Sequence, residues 1–335
     1  MDLYYHWRKG GALKYLKPDP HPIAQPRRKS EHQPRRPPPT GQSNSPRKYK
    51  VVKELGDGGG GCNAGILIVR SRISNKVYIE KKIPADWVRS GCAQAEVNFL
   101  KQLRGQAHTV DMVDYIEGSL SSVFFEYCEW GSMTDLIDRH QKAGQNISEK
   151  WLWKAFKQMA TAIDFCHNGP SRPTRDDRTW YTILHLDLKP DNVLLKVGRH
   201  DTPDIIICDF GAAMGGWQKF PGSGARTTVF RPPEYEPSNA SDVWCIGTIM
   251  VCACYRDWEP RSRRDAGLEY TPGLSQAIYA CMRINSVDRV RSEYLARMLS
   301  EISGRIKPEW LTGVPPIRPR DEFEDLAAGW HAYDS

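Results

Sequence analysis

Residues 184–192 read Leu-His-Leu-Asp-Leu-Lys-Pro-Asp-Asn, and seventeen positions beyond Asn192 comes Asp209-Phe210-Gly211. An apolar run, Ile205-Ile206-Ile207-Cys208, ends directly on that aspartate. Taken singly these residues are ordinary, since Asp and Asn are common turn formers beside Pro. Together, at fixed spacing, they restrict the chain severely. Asp187 can accept or orient a hydroxyl proton. Lys189 can meet a phosphate. Asn192 and Asp209 offer the hard oxygens that Mg²⁺ takes. Phosphoryl transfer asks for this set: an aligned hydroxyl, neutralised phosphate charge and one or two held metal ions, with little covalent chemistry from the protein.

The sequence upstream supplies what that chemistry would need on the nucleotide side. Tyr49-Lys50-Val51-Val52-Lys53-Glu54-Leu55 has the composition of a strand and runs into a glycine-rich stretch, with Gly56, Gly58 and Gly61 spaced G-x-G-x-x-G. Glycines let backbone amides approach phosphates closely. A second strand, Ile66-Leu67-Ile68-Val69, follows, where a dinucleotide-binding fold would place a helix. A third strand is expected over 77–83. Its period-two alternation puts Val77, Ile79 and Lys81 on one face and directs Lys82 outward, so Lys81 is preferred over Lys82 as the inward lysine. Residues 93–103 carry an apolar row, Ala95, Phe99 and Leu103, broadened by Val97 and Leu100, which predicts a helix.

With these motifs in order, the chain resembles the eukaryotic protein kinases, whose signatures are the Gly-rich loop, V-A-I-K, H-R-D-L-x-x-x-N and D-F-G. The resemblance covers residues 49 to about 300. It implies an α+β, two-lobed fold: a small antiparallel β lobe with one helix, and a larger, mainly helical lobe. It aligns Tyr78-Ile79-Glu80-Lys81 with V-A-I-K and sets Glu96 as the partner of Lys81. It makes Phe125 the gatekeeper and has Glu126 and Cys128 present backbone groups to adenine. Leu100 would stack towards Phe210 and His185. Asp242, opening Asp-Val-Trp-Cys-Ile-Gly, would anchor the catalytic-loop backbone, and Arg291 would pair with Glu234 of Arg231-Pro232-Pro233-Glu234. The implied roles are Asp187, Lys189, Lys81 and Glu96 as catalytic residues. Gly56, Gly58, Gly61, Lys81, Glu126 and Cys128 would bind nucleotide, and Asn192 and Asp209 would hold metal, with ATP and Mg²⁺ as cofactors. Lys189-Pro190-Asp191, with Thr227, resembles the Ser/Thr class.

Three positions depart from the family: Gly60 at the loop tip, Asn63 where Val would cap adenine, and Leu186 where Arg precedes the catalytic aspartate. Leu186 cannot bind an activation-loop phosphate as that arginine does. The expectation is therefore an enzyme that does not require phosphorylation at Ser223 or Thr228. These departures also keep a rival reading open, a pseudokinase or scaffold with the same fold.

In the larger lobe a short helix is expected over 133–141. A longer one, capped by Ser148, carries the core stripe Leu152, Phe156, Met159, Ile163 and Cys166. Residues 169–182 read as a polar insertion, either plain surface or a docking loop.

Charge and cysteine usage bound the rest. The net charge of +7 is uneven: residues 1–48 hold 11 Lys/Arg against 3 Asp/Glu, and the remainder 36 against 37. That first segment, with nine prolines and the clusters Arg27-Arg28-Lys29 and Arg35-Arg36, lacks the apolar content for a core. It reads as a solvated extension from about 17 to 48, or as a site for an anionic or proline-recognising partner. No nucleic-acid role is expected. Nine scattered cysteines without a C-x-x-C pair, no long apolar run and no signal-peptide pattern predict a reducing compartment, cytoplasm or nucleus, and no membrane span. The expected organisation is an N-terminal segment 1–48, a small lobe and hinge 49–130, a large lobe 131–302 and a tail 303–335.

Overall fold

A computed structural model describes residues 45, 47–56, 64–118, 121–170, 180–198, 202–215 and 228–319. The architecture is α+β in two lobes. The smaller lobe is a five-stranded antiparallel sheet of β1 (Tyr49–Gly56), β2 (Gly65–Ser71), β3 (Val77–Ile83), β4 (Met112–Ile116) and β5 (Ser121–Glu126), in the order β1-β2-β3-β5-β4. A short helix α1 (Ala85–Arg89) leads into α2 (Cys92–Gln102), whose Ala93, Glu96, Val97, Phe99 and Leu100 are buried. This is the helix that the apolar row predicts.

Register fixes which face of β3 does what. Ile79 pairs with Phe125 and Lys81 with Val123, so Lys81 lies on the inner face. Lys82 does not point into solvent as expected. It is 2% exposed and shares the other face with Glu80, which accepts a hydrogen bond from Ser122 Oγ at 2.9 Å. That face is itself packed: Tyr49, Leu67, Val69 and Phe124 form a second apolar cluster, with Tyr49 stacked on Phe124 at 4.3 Å. Alternation tells which side a strand residue faces, and not whether that side is wet.

The larger lobe is built on α4 (Glu149–Asn168) and α5 (Asn239–Tyr255), around which α3 (Met133–Ala143), α6 (Pro272–Cys281) and α7 (Ser292–Ser303) pack. α3 opens on a reciprocal cap, with Ser132 Oγ accepting from the Asp135 amide and Asp135 Oδ2 from the Ser132 amide. Ser148 does precede α4, but its hydroxyl makes no cap bond. Buried Glu149 uses its carboxylate instead to accept from Trp153 Nε1 and the Thr271 amide. α5 is buried on all sides from Ser241 to Cys254, as the central helix of a lobe must be. One apolar core runs from α2 through α4 and α5 to α7.

Two short antiparallel strand pairs carry the chemistry-bearing loops on this frame. β7 (Val193–Lys196) pairs with β8 (Asp204–Ile207), and β6 (Ile183–Leu184) with β9 (Met214–Gly215). Beyond α7 the chain returns along the lobe. The Ser148 amide donates to Val314 O, and the Ile317 amide donates to His140 Nε2.

Candidate active site

The strand pairs β6–β9 and β7–β8 hold Asp187, Lys189, Asn192 and Asp209 at the junction of the lobes. Residues 190–192 form a single 3-10 turn opened by Pro190, whose fixed φ suits its first position. The turn brings Asn192 Nδ2 back to donate to Asp187 O at 2.8 Å and to Asp187 Oδ2 at 3.2 Å. Lys189 Nζ lies 3.0 Å from Asp187 Oδ2. Asn192 O accepts from the Cys208 amide at 3.0 Å, which ties this loop to the end of β8 next to Asp209.

From the other lobe, Lys81 Nζ donates to Glu96 Oε1 and to Asp209 Oδ1, both at 2.8 Å. Burial would lower the Lys81 ammonium, but the two carboxylates outweigh it and hold it above its ordinary range. Burial would likewise raise Asp209, and the Lys81 charge overrides it and keeps the carboxyl below its ordinary value. Glu96 is 2% exposed, whereas the Asp209 side chain is 40% exposed, so the triad is closed on the helix side and open towards the cleft.

Two backbone positions are strained. Leu186 and Asp209 have φ of 65° and 62°, the left-handed region that non-glycine residues seldom adopt. Leu186 is held there by Asp242, whose Oδ1 accepts from the Leu186 amide and Oδ2 from the His185 amide, each at 2.8 Å. Asp242 is wholly buried. Burial alone would raise its carboxyl, but the bond from His167 Nε2 at 2.9 Å leads the effects that hold it low. His167 Nδ1 is left to meet Ser292 Oγ at 2.9 Å. His185 donates from Nε2 to Cys208 O, and its ring lies 4.8 Å from that of Phe210. α2 packs on the turn Phe210–Ala212, and buried Leu100 belongs to the same core.

The structure therefore brings together Lys81, Glu96, Asp187, Lys189, Asn192 and Asp209. Glu126 and Cys128 follow at the connection between lobes. Lys196 forms an ion pair with Glu126, and burial pushes the Cys128 thiol up to about 12. Gly56 closes β1, whereas Gly58, Gly61, Gly60 and Asn63 lie outside the described residues, as do Ser223, Thr227 and most of the 169–182 insertion.

One expectation is overturned. The partner of Glu234 is Arg289 and not Arg291: Arg289 Nη1 and Nη2 reach Glu234 Oε1 and Oε2 at 2.7 and 2.9 Å. Arg289 is buried and also donates to Ala240 O and Arg283 O, while Arg291 is exposed and pairs with Glu293. Sequence reasoning also passed over His167, Lys196 and Thr134, whose hydroxyl donates to Asp191 at 3.0 Å. The position of His167 beside the core residue Cys166, at the end of a helix leading to the catalytic loop, is the signal that could have marked it.

Among the described residues no group of three His, Cys, Asp or Glu could hold a metal alone. Asp209 and Asn192 fit Mg²⁺ all the same. That ion commonly takes one or two protein oxygens and completes its shell with phosphate and water.

The protein kinase domain profile matches residues 49–301. The chain is similar to the G2-specific protein kinase fin1 of Schizosaccharomyces pombe, 25% identical over 307 residues, covering 78% of this chain and 40% of that protein. The G2-specific protein kinase nimA of Emericella nidulans is 24% identical, over 71% of this chain and 39% of its own length. The serine/threonine-protein kinase Nek2 of Homo sapiens is 26% identical, over 62% and 46%. The chain thus spans less than half the length of these relatives.

Proposed function

The chain belongs to the protein kinase domain family, and we propose that it transfers the γ-phosphate of ATP to Ser/Thr hydroxyls of protein substrates. The observation that carries this reading is Lys81, clamped between Glu96 and Asp209 and facing a loop in which Asp187, Lys189 and Asn192 touch one another. Lys81, oriented by Glu96, binds the α/β-phosphates. Asp187 orients the acceptor hydroxyl and takes its proton, and Lys189 steadies the transferring group. Asp209 and Asn192 hold Mg²⁺, which when bound neutralises charge developing on the phosphates. The Gly-rich loop with Gly56, Gly58 and Gly61 covers the nucleotide, and Glu126 and Cys128 meet adenine through their backbone.

Activity is independent of activation-loop phosphorylation. Leu186 packs with Leu184 and Met214 in a small apolar cluster of its own, so the strand that begins the activation segment is held by packing in place of a charge pair. Residues 17–48 give an anionic or proline-recognising partner a basic site, and the compartment is cytoplasm or nucleus; among the described residues no helix is long and apolar enough to cross a membrane. A scaffold without catalysis is the lesser reading, because every ionic group that the chemistry needs is in contact with another.

The test is transfer of labelled γ-phosphate, with Mg²⁺, to generic Ser/Thr substrates by wild type, Asp187→Ala and Asp209→Ala. Transfer by wild type alone supports the enzyme. No ATP binding and no transfer in wild type would leave the scaffold.

A further inference from the structure

On α6, Tyr279 is 45% exposed and has two guanidiniums against its ring. Arg283 sits 4.9 Å and Arg264 5.8 Å from its ring centroid. Four other arginines of this stretch have a carboxylate: Arg261 and Arg263 share Asp257, Arg289 takes Glu234, and Arg291 takes Glu293. Arg264 and Arg283 have none among the described residues. Beside them Ile284 and Val287 are 56% and 83% exposed, so an apolar edge adjoins the two uncompensated charges. Asp288 is the opposing charge on the turn that follows α6.

This surface is coupled to the end of the activation segment. Arg289, bound to both oxygens of Glu234, also donates to the carbonyls of Arg283 and Ile284. Glu234 in turn accepts from Ser241, which lines a cavity with Asp187, Phe230, Arg231 and Pro232. A ligand on Arg283 is therefore joined through Arg289, Glu234 and Ser241 to the cavity beside Asp187.

We propose that Arg264, Tyr279, Arg283, Ile284 and Val287 form a docking surface for an acidic segment of the protein substrate that carries an apolar side chain among its carboxylates. The proposal rests on the protein kinase reading. The carboxylates pair with guanidiniums already fixed on an aromatic face, which lowers the rotamer entropy lost on binding. The apolar side chain covers Ile284 and Val287.

The test uses the full chain and two measurements. In the first, a labelled peptide of glutamates flanking a phenylalanine is titrated by fluorescence anisotropy, beside its lysine counterpart. The acidic peptide binds, more weakly as salt rises, and the lysine peptide does not. Arg264→Glu with Arg283→Glu, or Val287→Ser alone on the apolar side, weakens it, by roughly three- to tenfold for the charge reversal. In the second, a short Ser/Thr substrate is compared with the same substrate extended by the acidic segment. The charge reversal raises KM for the extended substrate and leaves kcat, and both constants of the short one, unchanged. Equal binding of the two peptides, or indifference to the charge reversal, overturns the proposal. So does self-association of the chain that the reversal abolishes, since the surface would then belong to a second copy. Failure of the kinase reading would appear separately, as absent transfer to the short substrate with peptide binding intact.

Discussion

Two carboxylates frame the catalytic loop, and they are held in opposite ways. Asp209 is partnered by a side chain from the other lobe, 128 positions earlier in the chain, and 40% of its side chain remains open. Asp242 is fully enclosed and is partnered by two backbone amides of the catalytic loop and by His167. The first arrangement leaves Asp209 open to a further partner from the cleft, as the proposed reading requires of a Mg²⁺ ligand. The second cannot exchange partners, because each of its donors would be left unsatisfied in a dry interior. On the proposed reading, one carboxylate takes part in the chemistry and the other preserves the shape of the loop beside it.

That division can be broken from either side. The largest effect is expected on the chemical side: Asp187→Ala lowers kcat by about 10²–10⁴-fold, the usual contribution of a general base, with little change in thermal midpoint. Lys81→Met removes the ammonium that orients phosphate and leaves Glu96 buried without its cation. It reduces transfer by about 10²–10³-fold, read against unaltered binding of a protein substrate. On the structural side the readout reverses. Asp242→Ala leaves the amides of His185 and Leu186 and the Nε2 of His167 unpaired, and destabilises the domain by about 3–5 kcal/mol in denaturant titration. Activity falls as well, because the backbone of His185 and Leu186 loses the acceptor that fixes it next to Asp187. Arg289→Ala strands Glu234 and costs about 3 kcal/mol, whereas Arg291→Ala stays within about 0.5 kcal/mol. Equal costs for the two arginines would contradict the pairing described above.

The smallest effect sharpens the comparison by pH. The Asp242 carboxyl is held below its ordinary value of 3.8 in the folded protein. Its stabilising contribution is therefore complete above that value and lost as pH falls through the folded one. The stability difference between wild type and Asp242→Asn is flat from neutral pH down to about 4 and narrows only below it. A difference that shrank between pH 7 and 5 would contradict a carboxyl held below its ordinary value.

The chemical side of this comparison was far more legible in the sequence than the structural side. Asp187, Asn192 and Asp209 stand at spacings that few other constraints would impose, and strand phase alone selected Lys81 over Lys82. Glu96 and Asp242 needed the family pattern, since neither a helix glutamate nor a helix aspartate is distinctive by itself. What escaped was set by acceptors remote in sequence. Arg289 and Arg291 flank one valine, and only the carbonyls of Ala240, Arg283 and Ile284 decide between them. Burial of Lys82 depended on how the far face of the sheet is packed, which alternation does not encode.

Arg139 has a consequence of a mechanical kind. Its Nη2 donates to Trp130 O, at the connection between the lobes, and its Nε to Ile317 O, near the far end of the described chain. One guanidinium thus ties the pivot of the molecule to its trailing strand. A displacement of the backbone at Ile317 is therefore felt at Trp130 through one side chain, across nearly two hundred positions of sequence.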